Sequence, residues 1–235
     1  LSHALTTAER RNRSLNGDMD TNRIKAAWKY FNPPPRLAKA SFDNYIPGNK
    51  QQRAALEACQ KYSLEKLYSG VGIYLFGPCG TGKTHLTVAT VRALMKGTPD
   101  LFGARQDESS MIYYPDQEDY RGLYCSFFSV VELLDLWKPG SDSKRQLGDW
   151  LFYRAKTDDL VVLDDLGAEK ASEWTGDRLY AVVDARYRNQ KATIFTTNCS
   201  EKELVDNGYG RIVSRIFEMT EQVPVLGPDY RRKMA

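Results

Sequence analysis

Gly77-Pro78-Cys79-Gly80-Thr81-Gly82-Lys83-Thr84 follows an apolar run, Val71 to Phe76, and leads into a helical pattern. Strand, glycine-rich turn, Lys-Thr pair and helix, in that order, are the context that a phosphate-binding loop requires. Glycines let backbone N–H groups close around phosphate oxygens, Lys83 reaches the β and γ oxygens, and the Thr84 hydroxyl is placed to ligate Mg²⁺. Gly77, Pro78, Cys79, Gly80, Thr81, Gly82, Lys83, Thr84 and the following His85 are therefore the expected cradle for a nucleoside triphosphate such as ATP. A glycine-rich turn that matched by chance would not bring the flanking strand and helix with it.

Downstream of the loop, short apolar runs alternate with amphipathic stretches. Strands are expected at Leu123 to Phe128, Leu160 to Leu163, Ala192 to Thr197 and Phe217 to Val225. Helices are expected from the loop to about Lys96, up to Trp137, over Lys144 to Lys156 and over Trp174 to Arg188, with one more upstream from Gln51 to Tyr68. Ser129 with Glu132, and Ser200 with Glu203, have the spacing of capping boxes. This alternation predicts an α/β fold, a parallel sheet with helices on both faces and ligand groups gathered at the carboxyl ends of its strands. Gly97 to Gly122 interrupts the pattern as an insertion, with room for one extra strand around Met111-Ile112-Tyr113-Tyr114.

Two further strand ends carry chemistry. In Leu160-Val161-Val162-Leu163-Asp164-Asp165, four apolar residues bury a strand and two carboxylates emerge at its tip. Paired acids at a strand end are often only solvated. Downstream of a phosphate loop they read instead as a Walker B pair, Asp164 holding the Mg²⁺ shell and Asp165 orienting the attacking water. Thr196-Thr197-Asn198 closes the next strand, and the neutral amide of Asn198 suits a sensor that bonds the γ-phosphate or the water without adding charge. Asn is also an ordinary residue after a strand.

The 235 residues, 42% hydrophobic, suit one α/β domain with extra segments rather than two full domains. No apolar run approaches the roughly 20 residues that cross a bilayer. Four scattered cysteines indicate neither a zinc site nor a disulfide framework, so a soluble protein of the cytoplasm is expected, without a membrane partner. The net charge of +3 is uneven: residues 1–40 carry +5 and the remainder −2. The chain thus divides into a basic N-terminal arm, 1–40, and an ATPase domain, 41–235. Within the arm Ile24, Ala27, Trp28 and Phe31 share one helical face before Pro33-Pro34-Pro35 stiffens the link. That helix either packs on the domain or lies in a partner's groove.

The whole pattern resembles the AAA+ ATPases, and among them the DnaC/DnaI-type loaders of bacterial replicative helicases. Besides the loop, the resemblance rests on Ser41-Phe42-Asp43-Asn44-Tyr45, Asp164-Asp165-Leu166-Gly167, Arg186-Tyr187-Arg188, Phe195-Thr196-Thr197-Asn198, Arg211-Ile212-Val213-Ser214-Arg215 and Gly227-Pro228-Asp229-Tyr230-Arg231. It implies an AAA+ P-loop fold without a C-terminal helical lid. Arg215 would be the arginine finger that reaches a neighbouring subunit's ATP, Arg211 a supporting basic residue, and Arg231 a second sensor on the nucleotide of its own subunit. A DnaB-type hexameric helicase, single-stranded DNA and further copies of the chain are the implied partners, the copies assembling when ATP is bound. Asp165 stands where many AAA+ proteins carry Glu. An IstB-type transposition helper shares the same motifs, a P-loop small-molecule kinase would need a basic lid over the γ-phosphate, and a nucleotide-gated scaffold would bind without turnover.

Overall fold

The computed structural model describes residues 22, 24–98, 101, 122–138 and 142–230. Its centre is a sheet of five parallel strands: β1 (Gly72–Phe76), β2 (Cys125–Ser129), β3 (Leu160–Leu166), β4 (Ala192–Thr197) and β5 (Thr220–Pro224). They lie in the order β2-β3-β4-β1-β5, so β4 sits between β1 and β3. The phosphate loop and the acidic pair consequently flank the tip of β4. The polar tail of β4 is delivered between them by topology alone.

Alternate residues of each strand feed opposite layers, as a sheet covered on both faces requires. Ile73, Leu75, Leu160, Val162 and Ile194 join the layer beneath α1 (24–31), α2 (Lys50–Gln60) and α4 (Lys83–Gly97). Tyr74, Val161, Leu163 and Phe195 join the other, with α5 (Val130–Trp137), α7 (Glu173–Arg188) and α9 (Gly210–Met219). The short α3 (Leu64–Tyr68), α6 (Asp142–Thr157) and α8 (Glu201–Leu204) complete the helices named here.

Several local expectations change. The upstream helical pattern breaks into α2 and α3, because Ser63 caps a new helix through the Lys66 N–H while the buried Tyr62 donates its hydroxyl to Val71 O at 2.8 Å. Ser129 makes no capping bond: it is still paired with Asp164 in the β2–β3 ladder when α5 begins. The Ser200–Glu203 box does form, and Ser172 with Thr175 makes another. Phe217 to Met219 are helical rather than extended. Ile212, Val213, Ile216 and Met219 recur with the period of a helix and bury one face of α9, so β5 starts only at Thr220.

Of the two roles open to the helix at Trp28, the contacts show packing. Ala27 and Phe31 are buried in the core, Trp28 lies against the Arg92 guanidinium at 4.2 Å, and Tyr30 donates its hydroxyl to Asp158 at 3.1 Å. Burying a side chain the size of Phe31 stabilises the fold by about 1.5–3 kcal/mol. Residues 1–20, Met111 to Tyr114 with their expected strand, and Arg231 lie outside the described residues. No helix among the described residues is long and apolar enough to cross a membrane. After β5 the described chain continues for six residues, 225–230, and forms no helical lid there.

Candidate functional site

At the carboxyl ends of β1, β3 and β4 lies a cavity of about 310 Å³, within the range of small-molecule sites. Cys79 to His85, Asp164, Asp165 and Asn198 line it. Ten residues named from the sequence thus lie together in its wall, while Gly77 and Pro78, also named, do not line it.

The loop's shape depends on glycine at two places. Gly82 has φ +94, and a Cβ there would meet the Tyr45 ring at 2.6 Å; Gly80 has φ +72, and a Cβ would collide with the Asp229 carboxylate. Tyr45 donates its hydroxyl to Thr81 O at 3.1 Å, and Gln52 reaches the same carbonyl at 3.4 Å. Tyr230 N donates to Gly80 O at 2.9 Å, so residues from both ends of the domain brace the turn. His85 lines the cavity but directs Nε2 to Ser41 O at 3.0 Å, which ties the Ser41–Tyr45 segment to α4.

Lys83 is buried and donates to Gly77 O and Pro78 O at 2.8 Å each and to Asn198 Oδ1 at 2.7 Å. Asn198 in turn donates from Nδ2 to Asp165 Oδ1 at 2.6 Å. A cation on one side and a carboxylate on the other fix which way this amide points. Lys83, Asn198 and Asp165 therefore form one charged relay across three strand tips.

The acid pair faces the cavity because β3 is bulged. Leu163 pairs with Phe195 and Leu166 with Thr197, so three steps along β3 match two along β4. One extra residue bends the strand and re-aims its side chains. Asp165 takes φ +64 there. Asp enters that left-handed region more readily than most residues, which gives a backbone reason for Asp rather than Glu. Burial pushes the Asp164 carboxyl up to about 6; hydrogen bonds from Thr196 and Thr84 hold it down, Asp165 adds to the rise and Lys83 opposes it.

Asp164 and Thr84 offer a carboxylate and a hydroxyl in the wall of the same cavity. Hard oxygen donors of this kind fit Mg²⁺, which is usually held by one or two protein groups plus phosphate oxygens. Asp164 is half-buried, and a cation beside it would offset the cost of its charge there.

Arg215 and Arg211 do not line this cavity. Arg215 lies on α9 against α7, where Nε and Nη2 donate to Asp184 Oδ1 at 3.0 and 2.8 Å and Nη2 also donates to the Tyr180 hydroxyl at 2.8 Å. Arg211, one turn earlier, lies over the same Tyr180 ring at 5.6 Å. Sequence reading missed Tyr45 and Gln52 as braces, and it gave no role to Thr196, a hydroxyl in a wholly buried strand. Such a polar residue within an apolar run was the available signal.

No family model matches the chain. It is 30% identical over 138 residues to the replicative helicase loader DnaI of Bacillus subtilis (strain 168), covering 57% of this chain and 35% of that protein. It is 25% identical over 207 residues to the chromosomal replication initiator protein DnaA of Onion yellows phytoplasma (strain OY-M), covering 88% of this chain and 35% of the relative. The chain thus spans about a third of the length of these two curated relatives. Among solved structures, the crystal structure of the DnaC helicase loader superposes with a TM-score of 0.60 at 27% identity, over 81% of this chain and 99% of that one.

Proposed function

The chain is a DnaC/DnaI-like AAA+ protein, and from that premise we propose that it binds ATP with Mg²⁺, hydrolyses it between copies of itself, and thereby controls placement of a DnaB-type hexameric helicase on single-stranded DNA. The observation that carries this reading is the meeting of Lys83, Thr84, Asp164, Asp165 and Asn198 at one cavity, on the tips of three adjacent strands. The likeness to proteins named as helicase loaders supports the partner.

Each residue has a task that its surroundings suit. The Lys83 ammonium, held at the mouth of the loop, exchanges its bonds to Gly77 O and Pro78 O for phosphate oxygens. Thr84 and Asp164 would hold Mg²⁺, which supplies charge neutralisation across the β- and γ-phosphates. Asp165 accepts a hydrogen bond from the attacking water and orients it, its own position set by Asn198. Asn198 passes the state of the γ-phosphate between Lys83 and Asp165. Arg215 leaves Asp184 for the γ-phosphate of a neighbouring copy, so turnover depends on assembly.

The test is a nucleotide-binding and turnover series combined with a pull-down on the cognate hexameric helicase, with and without ATP. Lys83→Ala should abolish binding or hydrolysis. Arg215→Ala should keep nucleotide affinity yet lose roughly 1,000-fold or more of the assembly-dependent rate. Normal turnover by Arg215→Ala refutes the finger, and a helicase that is retained in neither nucleotide state refutes the loader.

A further inference from the structure

The β3 bulge leaves a gap in the sheet, and two threonines of β4 fill it. Where the register slips between Leu163 and Leu166, the Asp165 N–H has no place in the regular ladder. Thr196 Oγ1 accepts from it at 2.8 Å and donates to Asp164 Oδ1 at 2.7 Å. One hydroxyl therefore holds the backbone of the second acid and the carboxylate of the first. Thr197 Oγ1 donates to Leu166 O at 2.6 Å and accepts from the Cys199 N–H at 3.0 Å, which closes the far side of the bulge. Both threonines are buried, Thr196 1% and Thr197 0% exposed.

The two hydroxyls make different bonds. Thr197 touches only backbone groups in these bonds, whereas Thr196 spends its single proton on Asp164. A hydroxyl has one proton to donate, so while Thr196 keeps that bond Asp164 Oδ1 is fixed in a carboxylate that lines the same cavity as Thr84. A hydrogen-bonded partner behind a ligating carboxylate sets the direction in which it binds.

We infer that Thr196 is a positioning residue for Mg²⁺-nucleotide binding: its hydroxyl locks the bulge and aims Asp164 at the metal position beside Thr84. This rests on the nucleotide-site reading given above. It predicts that removing the hydroxyl weakens Mg²⁺ binding far more than it weakens the fold, and that serine can replace threonine.

The experiment titrates Mg²⁺ at fixed concentration of a fluorescent ATP analogue and follows anisotropy, for wild type, Thr196→Val, Thr196→Ser and Thr197→Val. Thr196→Val should raise the Mg²⁺ midpoint about 10–100-fold, the usual cost of losing a partner behind a metal ligand. Thr196→Ser should stay within about three-fold of wild type, on the ground that it keeps the hydroxyl. Thr197→Val should melt earlier with an unchanged midpoint. Hydrogen exchange supplies a second readout: the Asp165 amide should be protected in wild type and in Thr196→Ser, and exposed in Thr196→Val. A folded Thr196→Val with a wild-type midpoint overturns the proposal. Should that variant fail to fold, an unprotected Asp165 amide in wild type, or a shifted midpoint in Thr196→Ser, overturns it. A wild type that binds no nucleotide at any Mg²⁺ concentration defeats the nucleotide reading instead, and the exchange data still decide whether Thr196 holds the bulge.

Discussion

The two ends of the sheet both bury charge, and they treat it in opposite ways. At the amino end Asp158, 0% exposed, accepts from Tyr30, Ser126 and Arg154. Arg186, equally buried, donates to Thr193 Oγ1 and to the carbonyls of Ala155, Asp158 and Ala192 at 2.6–3.1 Å. Burial lowers the Arg186 guanidinium to about 10, with Asp158 and Asp159 holding it up. At the carboxyl end Asp164 carries a raised pKa, Asp165 sits at positive φ, and Asn198 is exposed. Saturated hydrogen bonding at one end fixes the strands and the N-terminal helix. Incomplete compensation at the other leaves oxygen atoms with capacity for a ligand.

The contrast is easiest to break at the amino end. Arg186→Ala removes one member of a buried charged network and leaves several carbonyls without donors. It should cost about 3–5 kcal/mol in urea unfolding, with no loss of nucleotide affinity in whatever fraction remains folded. A loss below about 1 kcal/mol would mean that this network is not what holds the strands.

Asp164→Asn probes the carboxyl end and should act with the opposite sign. The folded carboxyl titrates at about 6 against an ordinary 3.8, so the native state binds its proton more tightly than the unfolded chain. Wild-type stability therefore falls as pH rises from about 4 to 6 and is lower by about 2–3 kcal/mol above that window. Asparagine removes this cost. In the absence of nucleotide and Mg²⁺, the variant should be more stable than wild type at pH 7.5 and no more stable at pH 3.5, while hydrolysing no ATP. Equal urea midpoints at both pH values would show that burial does not burden Asp164.

The smallest effect sharpens the comparison at the helix ahead of the domain. Tyr30→Phe deletes the hydroxyl that bonds Asp158 but keeps the ring under Arg154, whose guanidinium lies 3.6 Å from the ring centre. A loss of about 1 kcal/mol is expected, together with faster amide exchange over residues 24–31. Unchanged exchange there would show that apolar packing of Ala27 and Phe31 suffices.

Much of the carboxyl end was legible beforehand because its chemistry is local. The phosphate loop, the acid pair after a buried run and the amide at a strand tip each occupy a few consecutive residues. The amino end was not legible, since Tyr30, Ser126, Asp158 and Arg186 are scattered and converge only through packing. Boundaries failed where tertiary bonds intervened: Ser63 and Tyr62 broke a continuous helical pattern, and α9 claimed Phe217 to Met219 for its apolar face.

Periodicity and motif order by themselves determined an α/β domain with a glycine-rich loop after its first strand and paired carboxylates after a later one, because hydrophobic spacing and glycine-rich turns act within a few residues of chain. Only the tertiary structure decided that β4 separates β1 from β3, that a bulge turns both acids toward one cavity, and that Thr196 secures them. Those facts depend on which strands lie side by side. That choice is made by burial and by hydrogen bonds between residues far apart in sequence.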